Sequence, residues 1–148
     1  MRIVAERASV RVPASALLYN SAFSGLALSL DFWDETAVTL TTGAAKALIL
    51  GQGSNELPKD ANHLVIKVMM YTLEHLGLPA AGIELVARNN IPRGLGLGER
   101  EAEVLAGLLL VKSLLGNPND FTAAQLARLA ADFDVDGSRL AAALTGGG

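Results

Sequence analysis

Apolar positions alternate with polar ones early in this chain and repeat every three to four residues later on. Ile3–Val12 is rich in β-branched residues and alternates at Val10 and Val12, which predicts a strand ending at Pro13. Leu26, Leu28 and Leu30 alternate with small residues and predict a half-buried strand. Thr36–Thr42 and Ala47–Leu50 read as two more strands, punctuated by Thr42-Gly43 and Gly51-Gln52-Gly53. Asp60 is placed to cap a helix running to about Leu76, which Gly77 and Pro79 terminate. Ile83–Arg88 is a short strand, and after the loop Pro92–Gly98 a long helical run reaches Leu115 before Gly116. Thr122 caps a further helix with Leu126, Leu129, Ala130 and Phe133 on one face, and Leu140–Leu144 begins a last helical turn. Strands first and helices later predict an α+β domain, a mixed β-sheet with helices packed on one face.

Composition narrows the function classes. The 148 residues suit one domain. Half of them are apolar, at 51%, yet none forms the uninterrupted apolar run of roughly 18 residues that a membrane helix needs. The segment MRIVAERASVRV is charged throughout and lacks the apolar core expected of a signal peptide; a cytoplasmic location is the default expectation. A net charge of −3 gives no reason to expect nucleic acid as a partner. The chain has no cysteine, which excludes disulfides, thiol catalysis and zinc–thiolate sites. His63 and His75 do not have metal-ligand spacing.

The chemistry-bearing feature is the loop Pro92–Gly98. Gly94, Gly96 and Gly98 let the backbone adopt positive φ and approach a ligand closely. The helix start that follows offers free N–H groups and positive dipole charge, which suit a phosphate. The loop lacks the Gly-Lys-Ser/Thr of a Walker A motif and is not GxGxxG, so on its own it is equally an ordinary tight connection.

Pro92-Arg93-Gly94-Leu95-Gly96-Leu97-Gly98, with the small-residue helix after it, resembles the second motif of the GHMP small-molecule kinases, the homoserine kinase branch in particular. Val10-Arg11-Val12-Pro13-Ala14-Ser15 resembles the family's opening strand and first motif, and Leu26–Leu30 with Asp34-Glu35 the strand that follows. Glu56–Asp60 with Asn62–Val65 is similar to the family's loop into its first large helix, and Leu140–Leu144 with Gly146-Gly147 to the segment after its third motif. The resemblance covers nearly the whole chain. It implies a ribosomal protein S5 domain 2-like fold, the GHMP kinase N-terminal domain, as a single domain over residues 1–148 with the family's C-terminal domain absent.

The departures fall where the family's chemistry resides. The second motif continues in the family as Ser-Ser-Ala-Ala, which holds the triphosphate and magnesium; here the chain reads Glu99, Arg100, Glu101, Ala102. Two carboxylates suit a helix start. They repel a triphosphate by roughly 1 kcal/mol per close pair in water and several in a less polar site. In the first motif the family's Asn is Leu18, its acceptor-side Asp is Ser24, and its Gly-Pro-Gly is Asn20-Ser21-Ala22. That stretch is expected to be rebuilt as strand or helix, with Leu17, Leu18 and Tyr19 covering surface left by the missing domain. In the third motif Glu-Gly-His-Pro-Asp-Asn is replaced by Asp134–Arg139, with Asp134 in place of the magnesium-binding Glu.

Three functional stretches changed together on a kept frame imply an engineered or designed, non-catalytic scaffold or interaction module, with no catalytic residue and no cofactor. The even Ala/Leu/Glu filling of Glu99–Leu115, read as surface positions, fits design. A natural degenerate paralogue is the rival origin. The alternative function is a residual ATP-dependent kinase of a small alcohol such as homoserine. It would place Gly94, Gly96, Gly98 and Arg100 on the nucleotide, take ATP and magnesium, and use Asp134 as a weak metal candidate. A third reading is a new activity in the vacated cleft with Glu99, Glu101 or His63 as base.

Other features have plainer readings. Met69, Met70 and Tyr71 in succession suggest an apolar helix face for a homodimer, set against core on one side and a single exposed Met on the other. Phe32-Trp33 reads as a core or edge anchor, His63 and His75 as packing or capping residues, and Asp132, Asp134 and Asp136 as a solvated turn. Lys46 and Lys112 are expected to be solvated.

Overall fold

The computed structural model describes residues 1–18, 26–79 and 82–146. Four strands, β1 (Arg7–Leu18), β2 (Leu26–Thr41), β3 (Lys46–Gly51) and β4 (Gly82–Asn89), form one sheet in the order β1-β2-β4-β3. β2 pairs antiparallel with β1 and β4, while β3 and β4 are parallel. A parallel pair needs a crossover, and α1 (Leu64–His75) supplies it. Helices α2 (Glu99–Leu114), α3 (Ala123–Ala131) and α4 (Gly137–Gly146) complete the chain.

Strict alternation on the strands turns Val12, Val38, Ile49, Ile83 and Leu85 toward the helices, where all are buried. α2 packs on α1 and β1, and α4 lies against β1 and β2. Gly107 allows the α1–α2 approach: a Cβ there would stand 2.7 Å from Val68 Cγ1. The mixed sheet with helices on one face is the expected α+β architecture.

Several boundaries differ for local reasons. β1 runs through Pro13, because a register shift between Pro13 and Ala14 absorbs the missing N–H. The two strands expected at Leu26–Leu30 and Thr36–Thr42 are one continuous β2. Residues 3–5 lie outside the sheet, and the N–H groups of Val4 and Ala5 donate to the Leu114 carbonyl. Asp60 closes a turn by accepting the Asn62 N–H, and the cap of α1 is His63, whose Nδ1 accepts from Val65 N at 3.2 Å. α3 starts at Thr122 as expected, in a reciprocal capping box with Gln125.

α2 corrects a larger expectation. It is a central helix: Ala102 through Ala106, Leu108, Leu110 and Val111 are buried, and Glu101 and Glu103 are 7% and 6% exposed. Its even filling is therefore not the surface filling that favoured design. Met69 is likewise fully buried, so it belongs to the core and cannot join a dimer face; Met70 alone of the three is exposed. Tyr71 donates its hydroxyl to Asp132, stacks on His75 and meets Phe133 edge-on at 5.2 Å, tying α1 to the end of α3. Trp33 lies beneath the Arg11 guanidinium at 4.4 Å, and Phe32 is exposed. Tyr19 through Ser24 and the side chains of Leu17 and Leu18, expected to cover surface, lie outside the described residues.

Candidate functional site

The glycine loop connects β4 to α2, and Gly94, Gly96 and Gly98 all have positive φ, between 70° and 77°. Asp34 of β2 fixes its entrance. This carboxylate is 4% exposed, and its Oδ1 accepts from Asn90 N at 2.9 Å and Ile91 N at 3.0 Å. Burial pushes the Asp34 carboxyl up, and those two N–H groups and Arg93 offset part of that rise.

The exit is built around Gly98, the N-cap of α2 in the left-handed conformation. A Cβ at Gly98 would lie 2.4 Å from Ser15 Oγ. Ser15 N donates to the Leu97 carbonyl at 2.9 Å, so the first motif's strand hydrogen-bonds directly to the loop. Ser15 is 1% exposed and its hydroxyl has no partner.

The three polar side chains that replace the family's motif, Glu99, Arg100 and Glu101, each bond the chain's own backbone. Glu99 Oε1 accepts the Gly94 N–H at 3.0 Å, and its Oε2 is enclosed without a partner. Arg100 donates to the carbonyls of Phe133 and Asp134 in the turn before α4. Glu101 Oε2 accepts the Asp136 N–H at 3.2 Å. Arg139 Nη1 donates to Gly96 O at 2.7 Å and reaches Ser15 O at 3.4 Å. Asp134 takes a positive φ of 55°, and Asp136 accepts the Arg139 N–H at the start of α4. Positions where the family pattern binds ligand here join the three stretches to one another.

Beneath the loop lies a charge cluster that the sequence did not reveal. Arg93 Nη1 meets Glu103 Oε1 at 2.6 Å, with side-chain exposures of 26% and 6%. Burial pushes the Glu103 carboxyl up against the opposing pull of Arg93. His63 is 1% exposed, and burial together with the Arg93 charge lowers it to about 4. Its ring is therefore neutral at pH 7, consistent with an Nδ1 that accepts a hydrogen bond. The only signal available beforehand was two glutamates amid apolar neighbours on one helix.

An open cleft of about 490 Å3 adjoins the loop, lined by the charged side chains of Lys67, Arg93, Arg100 and Glu103 together with apolar ones such as Leu57 and Phe133. Among the described residues, no three His, Asp or Glu side chains converge to hold a metal. No helix among these residues is long and apolar enough to cross a membrane.

Residues 63–147 match the family of GHMP kinases, N terminal domain. The chain belongs to that family. Among curated relatives, the homoserine kinase of Leifsonia xyli subsp. xyli is 35% identical over 140 residues, 94% of this chain and 43% of that protein. The homoserine kinase of Corynebacterium diphtheriae is 32% identical, covering 97% and 46%. The chain thus spans less than half the length of these relatives. Among solved structures, the homoserine kinase of Cytophaga hutchinsonii superposes with a TM-score of 0.77 at 24% identity, over 95% of this chain and 47% of that one. The Methanococcus jannaschii mevalonate kinase gives 0.65 at 14% identity, over 86% and 46%. At such identities the structural likeness establishes the GHMP N-terminal fold.

Proposed function

We propose that this homoserine-kinase-like GHMP domain is a non-catalytic scaffold or interaction module whose phosphoryl-transfer function has been lost. One observation carries the reading: the loop N–H of Gly94, placed to receive an anion, is taken by the chain's own Glu99 carboxylate. A nucleotide phosphate seated there faces a fixed negative charge about 4 Å away, a penalty of about 4 kcal/mol in a partly desolvated site. That weakens binding on the order of a thousandfold. Of the nearby cations, Arg100 and Arg139 already serve backbone carbonyls and Arg93 pairs with Glu103. The finer reading, an engineered removal of function with the fold kept, rests on three stretches having changed together while the scaffold persists.

The cleft lined by Lys67 and Arg93 favours a second reading, in which ATP and magnesium still bind and a small alcohol such as homoserine is phosphorylated. Titration with Mg-ATP separates the two. Trp33 fluorescence is a suitable reporter, because the Trp33 carbonyl accepts from Asn90 at the loop entrance. The scaffold reading expects no change in fluorescence or melting temperature. Stabilisation of about 2.7 kcal/mol at a hundredfold excess over the dissociation constant overturns it.

A further inference from the structure

The sheet has a second face, on which no described helix packs. The registers place Ser9, Ala37, Val86 and Leu48 in one row across β1, β2, β4 and β3. On one side of it runs the row Arg11, Glu35, Arg88, Leu50, and on the other the row Arg7, Thr39, Glu84, Lys46. Leu48 is 55% and Leu50 37% exposed, Ala37 is exposed and Val86 half-buried. One exposed leucine on a sheet is ordinary. Apolar positions on three adjacent strands, Ala37, Val86 and Leu48, framed by charge mark a contact surface.

On the two central strands the charges are arranged to complement themselves. Arg11 Nε pairs with Glu35 Oε1 at 3.4 Å, and Arg88 stands next to Glu35 in the same row. Consider a twofold axis between two facing sheets, parallel to the strands and midway between β2 and β4. It exchanges β2 with the partner's β4 and β1 with the partner's β3. Glu35 then lies over the partner's Arg88, Arg88 over the partner's Glu35, and Ala37 over the partner's Val86. Glu84 falls over the partner's Thr39, beside the partner's Arg7. Arg7 falls over the partner's Lys46, a like-charge contact that opposes docking and is confined to the corners, where packed sheets crossing at about 30° diverge.

We propose that this face docks a second copy of the chain, sheet on sheet, in a twofold dimer held by reciprocal Glu35–Arg88 pairs around the Ala37–Val86–Leu48 row. The proposal is independent of the glycine loop, since it uses the face of the sheet turned away from the helices. Four strands and three rows cover about 400 Å2 per copy at ordinary strand spacings. That is below the roughly 800 Å2 of a standard interface, so the dimer belongs to the weak, reversible class.

Sedimentation of the full chain from about 1 μM to about 1 mM, the range of weak complexes, tests this directly. The wild type is expected to shift from monomer to dimer, less so at high salt. Arg88→Glu and Glu35→Arg are each expected to raise the dissociation constant at least tenfold. The double exchange Glu35→Arg/Arg88→Glu is expected to recover much of that loss, which a folding defect would not do. Circular dichroism melts confirm that the variants fold. A monomer throughout the range overturns the proposal, as does a dimer indifferent to both single exchanges; one weakened only by Met70→Glu assigns the contact to α1.

Discussion

Glu99 accepts the N–H of Gly94, five residues before it, at 3.0 Å, so the side chain at the first position of α2 folds back over the loop that precedes it. The carboxylate gains from the loop donor and from the helix dipole at once. Replacing both changed residues, Glu99→Ser with Arg100→Ser, removes the tethered anion and restores compact hydroxyls. Calorimetry with Mg-ADP is expected to show binding at least tenfold tighter than in the parent, about 1.4 kcal/mol or more. Equal, undetectable binding in both would show that the Glu99 contact is not what closes the loop. Glu99→Ala alone is expected to lower stability by about 0.5 kcal/mol, the ordinary worth of a charge at a helix start.

Gly94 and Gly98 share a positive φ yet differ in surroundings. Nothing lies within 4 Å of a Cβ added at Gly94, whereas one at Gly98 meets Ser15 Oγ at 2.4 Å. Gly94→Ala is therefore expected to cost only the left-handed backbone penalty, about 1 kcal/mol. Gly98→Ala adds a clash with a buried strand and is expected to cost at least twice as much. Ser15→Ala should recover part of the Gly98→Ala loss, because it removes the oxygen in the way and an unpartnered buried hydroxyl with it. Urea denaturation of the three single variants and of the double Gly98→Ala/Ser15→Ala measures this, and additive effects in the double would contradict the contact.

These residues also show what the sequence could and could not disclose. Alternation at Val10 and Val12, and the turn signals Thr42-Gly43 and Gly51-Gln52-Gly53 around Ala47–Leu50, are local properties and predicted strands there. The cap at Thr122 is local too. Pro13 misled because its missing N–H is absorbed by a bulge that depends on β2 as much as on β1. The departures at Glu99, Arg100 and Glu101 were legible as sequence, but their destinations were not. Arg100 reaches a carbonyl 33 residues away and Glu101 an amide 35 away, and only the packing of α4 against α2 brings those groups into range. For the same reason Glu101 and Glu103 read as surface residues and proved to be buried.

Arg93, half-buried, pairs beneath the loop with Glu103, which is buried. Removing one partner leaves the other charge enclosed, so Arg93→Met is expected to destabilise by about 3 kcal/mol. Glu103→Gln should be milder, about 1 kcal/mol, since burial already pushes that carboxyl toward its neutral form. The double replacement Arg93→Met/Glu103→Leu is expected to be nearly as stable as the parent, because neither charge then remains to be desolvated. Chemical denaturation of the full cycle decides; a double variant as unstable as the sum of the singles would mean that the two side chains act independently.

His63 gives the fold a dependence on pH. Its Nδ1 accepts from Val65 N, and burial with the Arg93 charge holds the folded ring at about 4 against 6.5 for the free side chain. At pH 7 the ring is neutral in both states and contributes nothing. As pH falls below 6.5 the unfolded chain takes up a proton that the folded chain refuses, so stability is lost until about pH 4, where the folded ring also protonates. Linkage places that loss at about 2 kcal/mol between pH 7 and pH 5. Asp34 and Glu103 act in the opposite sense: their raised folded values let the native state bind protons first, adding stability at the acid end. His63→Asn keeps a capping acceptor and removes the titration. Urea denaturation at pH 7 and pH 5 should therefore show the variant losing about 2 kcal/mol less than the parent. Parallel losses in the two proteins would mean that the His63 ring is protonated in the folded state and that its Nδ1 does not cap α1.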